Sequence, residues 1–224
     1  MDIQEIFSVQ LTRLPYTTKF KMISNAQAFL YVAASVTARG AAGLIGVNVK
    51  IDGTVLAASV VYANEPASSR PTVAMIVKIP NPTVGEHELT LEATTQITMT
   101  GPLDYACGTI FYQGMSVDPF IWRFSGKVPQ YTKFKSPMSG KAVLYLAGSA
   151  YIKTPQVCGL SVVMDGNVVA KTQMLPGIGN SHFALPPIFV PVQLKPKMYD
   201  IGVSTTIGEM LSDDNDNYEI GILF

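Results

Sequence analysis

Apolar and polar side chains alternate with a period of two along much of this chain. In QAFLYVAASV (27–36), Phe29, Tyr31, Ala33 and Ser35 fall on one face and Leu30, Val32, Ala34 and Val36 on the other. Farther on, Val47, Val49 and Ile51 alternate with Asn48 and Lys50. Successive side chains of an extended strand point to opposite faces, so this pattern predicts half-buried β-strands. Asp52-Gly53 stands between two such runs, and Asp165-Gly166 between two later ones. A two-residue turn of the primed type needs positive φ, which Asp tolerates and Gly adopts freely, so each pair predicts a β-hairpin. Pro and Gly punctuate the rest: IPNPTVGEHELTLEA (79–93) reads as strand, turn, strand. No stretch carries a helical period with caps among the 15 prolines and 18 glycines.

The pattern is spelled twice. Pro15, Thr18, Lys19, Phe20 and Lys21 recur with the same spacing as Pro129, Thr132, Lys133, Phe134 and Lys135. Ala28, Leu30, Tyr31, Ala33 and Ser35 match Ala142, Leu144, Tyr145, Ala147 and Ser149. VNVKIDGTVLA (47–57) then matches LSVVMDGNVVA (160–170), and HELTL (87–91) matches YDIGV (199–203). The ends align as DYACGTIF (104–111) with NYEIGILF (217–224), and the openings as IFSVQ (6–10) with FIWRF (120–124). Each copy is too long for a solenoid repeat and long enough to hold its own core. The prediction is an all-β chain of two tandem duplicated antiparallel β-sandwich, jelly-roll-like domains. Each would have about seven or eight short strands. QGMSVDP (113–119) marks the junction, so the domains are placed at 1–115 and 116–224.

Composition narrows the function classes. Hydrophobic residues make up 48% and charged residues 14%, against about 25% charged in an average soluble protein. That argues against disorder and points to a surface of small polar and apolar groups that neighbours can cover. Lys plus Arg and Asp plus Glu both number 16, so no basic stripe predicts a nucleic-acid partner. MDIQEIFSVQ lacks the layout of a signal peptide, and no apolar run approaches a membrane helix, so a soluble protein made in a cytoplasm is expected, with no membrane partner.

Candidate chemistry is sparse. His87 and His182 do not recur, and with Cys107 and Cys158 they lack the spacing of a zinc set. The cysteines read as free thiols. Ser181 and His182 are adjacent on a strand and point to opposite faces, which excludes a nucleophile–base pair. Gly177-x-Gly179 lacks the third glycine and the helix of a dinucleotide cradle. Asp213-x-Asn215-x-Asn217 copies the start of a calcium loop, but Tyr218 stands where the loop wants Gly, and Phe224 where it wants Glu. A solvated acidic hairpin is the favoured reading of residues 213–216, with calcium left open. Trp122 is expected to pack between domains, and Tyr31 and Tyr145 to be structural. No catalytic, cofactor-binding or metal-ligating residue is assigned and no cofactor is expected.

The MDGNVVA hairpin (164–170), the VGEHELTLEA strand (84–93) and the closing DDNDNYEIGILF (213–224) resemble the jelly-roll modules of tailed-bacteriophage virions, and more distantly the C1q and tumour-necrosis-factor fold. The resemblance covers nearly the whole chain. It implies a non-catalytic structural protein of a phage particle, a capsid decoration or cement subunit or a tail assembly subunit. Its partners would be itself, as a homo-oligomer, and other virion proteins such as the major capsid or tail proteins. It would be located in the virion after synthesis in the host cytoplasm. The alternative is a host-adhesion or carbohydrate-binding module.

Overall fold

Asp52 and Gly53 both take positive φ, 48° and 78°, and Asp165 and Gly166 repeat this at 48° and 79°. These are primed turns, and each closes a hairpin of the kind the Asp-Gly pairs predict. The computed structural model describes residues 2–114, 117–206 and 212–224, and among these every regular element is a strand. The chain divides into two compact units, Met1–Ser116 and Val117–Phe224.

The first unit contains β1 (Asp2–Gln10), β2 (Tyr16–Met22), β3 (Gln27–Ala38), β4 (Gly43–Ile51), β5 (Thr54–Ala63), β6 (Ser69–Pro71), β7 (Met75–Lys78), β8 (Gly85–Ala93), β9 (Thr98–Met99) and β10 (Tyr105–Gln113). One sheet runs β1-β10-β3, and the long β3 then pairs in turn with β7, β6 and β9. The other runs β2-β8-β4-β5, and all pairings are antiparallel. Between the sheets lie Phe7, Phe20, Leu30, Val32, Val47, Leu89 and Ile110, all in one buried cluster. Leu30, Val32, Ala34 and Val36 are thus the core face of β3, as its alternation predicts.

The second unit contains β11 (Phe120–Ser125), β12 (Gln130–Lys135), β13 (Gly140–Ile152), β14 (Cys158–Met164), β15 (Asn167–Met174), β16 (Ser181–Ala184), β17 (Ile188–Leu194), β18 (Met198–Thr205) and β19 (Asn217–Leu223). Its sheets are β11-β19-β13, with β13 passing from β17 to β16, and β12-β18-β14-β15. Apart from the short β9, which has no counterpart among the described residues, this is the strand order of the first unit, around Phe134, Leu144, Leu146, Leu160, Ile201 and Ile220. Fully burying each such side chain contributes about 1.5–3 kcal/mol. Among the described residues no helix is long and apolar enough to cross a membrane.

The ladders correct the repeat alignment at both ends. Val32 and its counterpart Leu146 are set by the shared β3 and β13 phrases. Gly108 pairs with Val32, but Ile220 pairs with Leu146, and Gly221 with Tyr145. The closing strands therefore align with Gly108 on Ile220 and Asp104 on Asp216, one residue away from the alignment by similarity. By the same logic Phe7, opposite Gly108, corresponds to Trp122, opposite Ile220. One residue matters, because a slip of one moves every side chain to the other face. Gly108 lies on the core face, where an added Cβ would overlap the Phe7 ring. Gly221 lies on the opposite face, where a Cβ would sit 3.5 Å from the Tyr145 Cβ in ordinary contact. Trp122 packs against the core of its own unit, with its ring centroid 4.0 Å from that of Phe124.

The two Asp-Gly hairpins are pinned differently. Asp52 accepts from the Glu88 amide at 2.9 Å, and His87 Nδ1 lies 2.7 Å from its other oxygen. His87 Nε2 lies 2.8 Å from the Thr83 carbonyl oxygen. A carboxylate and a carbonyl only accept, so both ring nitrogens carry protons and His87 is an imidazolium. The hydrogen bond to Asp52, then that to Thr83, holds His87 above its ordinary 6.5, with burial opposing. Burial pushes Asp52 up, but the Glu88 amide and His87 outweigh it and hold the carboxyl low. In the second unit Tyr199 stands at the His87 position, and Lys197 donates to Asp165 at 2.6 Å instead.

Two outcomes test this description. Gly108→Ala should lower the unfolding free energy by about 1–3 kcal/mol through overpacking, whereas Gly221→Ala should leave it nearly unchanged. The reverse order in urea titrations would contradict the register. For His87, a raised value in the folded state means stabilisation that is complete below 6.5 and lost as pH rises through the raised value. The Asp52 contribution is complete above the ordinary carboxylate value and lost as pH falls through the depressed one. The stability advantage of wild type over His87→Tyr should therefore be largest near pH 5–6 and shrink towards pH 9, and a constant difference would sink the imidazolium assignment.

Candidate functional site

Where β10 and β19 begin, both units build the same corner. In the first, the Asp104 amide donates to the Gly101 carbonyl at 3.2 Å; in the second, the Asp216 amide donates to Asp213 at 3.3 Å. Each turn folds its final carboxylate inward, and both Asp104 and Asp216 have no exposed surface. The Gly101 amide donates back to Asp104 at 2.7 Å and the Asp213 amide to Asp216 at 2.9 Å. The serine one strand away also repeats. Ser35 donates to Asp104 at 2.9 Å and accepts from the Tyr105 amide at 3.0 Å. Ser149 donates to Asp216 at 3.2 Å and accepts from the Asn217 amide at 2.9 Å.

Around this shared frame the side chains diverge. In the first unit Thr37 and Ser69 face each other across the β3–β6 ladder, and both hydroxyls donate to Asp104, Thr37 at 2.9 Å. In the second unit the same ladder positions hold Tyr151 and His182. Ala67 and Asn180, just before Ser69 and His182, share a positive φ of 62° and 53°, which confirms the correspondence. Three exchanges thus separate the corners: Thr37 for Tyr151, Ser69 for His182, and Gly101 for Asp213. The Tyr151 hydroxyl turns away to Asn180 at 3.3 Å.

These exchanges gather an imidazole and two carboxylates. His182 is 1% exposed, and its Nε2 lies 2.9 Å from Asp213 Oδ1 and 4.0 Å from Asp216 Oδ1. One donor atom from each of the three residues falls within 4.8 Å of the others. Donors at about 2.0–2.1 Å from a tetrahedral metal stand roughly 3.3 Å apart, so small side-chain adjustments suffice to close on one ion. Among the described residues no lysine or arginine pairs with either carboxylate. Burial, and then the charge of Asp213, push the Asp216 carboxyl up to about 7, against the hydrogen bonds that favour its charged form. Asp213 is the solvent side of the cluster, with 35% of its side chain exposed. One of its oxygens also accepts from the Asn215 amide at 2.8 Å.

The sequence candidates are therefore redistributed. Residues 213–216 do not form a solvated acidic hairpin, because Asp216 is buried. Of the calcium-loop positions, Asn217 does not turn its side-chain amide to Asp213. Asn217 instead donates through its side chain to the Asn215 carbonyl at 3.0 Å. The group that does converge is His182, which arrives from β16. Its signal was the strand pairing with Tyr151, which no local motif carries. Ser181 lies opposite Ile152 on that ladder and His182 opposite Tyr151. Cys107 and Cys158 are free thiols, each pushed up by burial. Tyr145 is fully buried with its ring 5.0 Å from Phe189, and burial pushes the half-buried Tyr31 to about 12.

No family model and no curated protein matches this chain. Among solved structures, it is similar to PNGase F, a glycosylasparaginase from Flavobacterium meningosepticum, at 9% identity and a TM-score of 0.49, covering 99% of this chain and 95% of that one. A second structure, of a peptide-N(4)-(N-acetyl-β-D-glucosaminyl)asparagine amidase, matches at 10% identity and 0.49, covering 99% and 96%. The stem and receptor binding domain of spike protein P1 from bacteriophage PM2 matches at 9% and 0.32, covering 100% and 97%. The expectation of a capsid decoration or tail assembly subunit is corrected by these matches. Two of the three structures are described as enzymes, and none as a capsid decoration or tail assembly subunit. At such identities the likeness is one of fold, and no activity passes with it.

Proposed function

We propose that this chain is a divalent-cation-binding protein, its ion held at the corner of the second unit by His182 Nε2 and the carboxylates of Asp213 and Asp216. One observation carries the reading. A corner that is closed by hydroxyls and a glycine in one copy presents an imidazole and two carboxylates in the other, on the same backbone frame.

Two neighbouring carboxylates in a largely dry place repel each other, and among the described residues no lysine or arginine pairs with either. A bound metal ion offsets that charge and replaces the lost water. One nitrogen and two or more oxygens suit Zn²⁺ or Mn²⁺ better than Ca²⁺, which takes six to eight oxygens. Three protein donors leave at least one coordination position, and the exposure of Asp213 opens it to water or to an oxygen ligand. The sequence by itself marks no metal ligand, because these three residues share no motif.

The first unit supplies the control substitutions, because it folds with Ser69 and Gly101 at the corresponding places. Mn²⁺ or Zn²⁺ at about one hundred times its Kd should stabilise wild type by about 2.7 kcal/mol. His182→Ser and Asp213→Gly should each keep the fold and lose most of that response. The readout is thermal unfolding with and without metal, alongside calorimetric titration. A wild type indifferent to both ions, or a His182→Ser variant that responds like wild type, would overturn the proposal.

A further inference from the structure

The corner of the first unit is built on the same frame but is hollow. Thr37, Ser69 and Gly101 are smaller than the Tyr151, His182 and Asp213 that take their places in the second unit. A cavity of about 430 Å³ opens beside them, within the range of about 300–1,000 Å³ typical of small-molecule sites. Its walls are Ala38, Ala67, Met99, Pro102 and Leu103. Leu103 is 86% and Met99 40% exposed, so apolar surface is held in water around an opening.

The polar groups of this cavity are mostly committed. The Thr37 and Ser69 hydroxyls and the Gly101 amide all donate to Asp104, whose carboxylate is thereby satisfied from several sides. Arg39 is different. Its backbone is fixed by the donation of its amide to the Ile97 carbonyl at 2.7 Å, which places the residue in the cavity wall. No carboxylate among the described residues pairs with its guanidinium. The cavity thus offers apolar walls and the exposed Arg39, which forms no salt bridge among the described residues.

We infer that this cavity binds a small monocarboxylate with an apolar body, the carboxylate on Arg39 and the body against Met99, Pro102 and Leu103. A guanidinium meets a planar carboxylate through two parallel N–H···O bonds. One cation balances one negative charge, whereas a phosphate dianion would leave a charge unmet in apolar surroundings. The Thr37, Ser69 and Gly101 donors are already committed to Asp104, which favours a compact aliphatic or aromatic body over a polyol. The inference does not depend on the cation site of the second unit, which uses none of these residues.

The test uses the whole chain and three probes of one shape: 3-phenylpropionate, 3-phenylpropanol and phenyl phosphate. Amide chemical shifts of Arg39, Ser69, Gly101 and Leu103 should move saturably with 3-phenylpropionate and less with the other two. Arg39→Gln should weaken the acid about tenfold or more, the loss of a charge-assisted hydrogen bond, and leave the alcohol unchanged. Leu103→Ser, at a position almost wholly in solvent, should weaken acid and alcohol alike without unfolding. Absence of saturable shifts at millimolar acid, equal affinity for the alcohol, tighter binding of the phosphate, or an Arg39→Gln variant that binds the acid as wild type would each overturn the inference.

Discussion

A carboxylate leaves water only if donors replace the water, and Asp104 and Asp216 leave it completely. Each lies at the end of a tight turn at the entrance to the strand that closes its sandwich. Each accepts from an amide of its own turn and from a serine on the central strand, and that serine in turn receives the first amide of the closing strand. This relay ties turn, central strand and closing strand at one point. Hydrogen bonds to a charged group are worth about 1.5–3 kcal/mol each, and losing one would leave the charge buried and unmet. The corner is therefore fixed in both copies while the residues around it are free to change.

That freedom separates the two units. The first unit completes the carboxylate shell with the Thr37 and Ser69 hydroxyls, and its small side chains leave a hollow beside Arg39. The second brings His182 and Asp213 to the same points, where with Asp216 they form a cluster of donor atoms. The duplication acts as an internal control: the frame is held constant, and three side-chain exchanges account for the difference in chemistry. Neither corner requires a change of topology, since the ladders β3–β6 and β13–β16 place the exchanged residues opposite one another in the same way.

Much of the architecture was legible in the residues. Asp52-Gly53 and Asp165-Gly166 announce their hairpins because few dipeptides adopt two positive φ angles cheaply. The alternation at Leu30, Val32, Ala34 and Val36 identifies a core face correctly. The closing strands misled, because GTIF and GILF resemble each other one residue out of register, and only the partner strand decides which glycine faces the core. The cluster was hidden for a related reason. His182 and Asp213 are brought together by a turn and a strand edge, and a spacing of 31 residues is no motif. Asp216 reads as one more surface acid until its burial is seen. The virion resemblance rested on turn chemistry and alternation that many sandwiches share, and a fold carries no function by itself.

The central claim is that one corner of a duplicated frame has become a cation site while the other has not. Anomalous diffraction from crystals grown with Zn²⁺ or Mn²⁺ addresses it directly. The account predicts a peak at about 2.0–2.2 Å from His182 Nε2 and from an oxygen each of Asp213 and Asp216, and none at Asp104. A map with no peak at that cluster, or with a peak of equal height at the Asp104 corner, would contradict it.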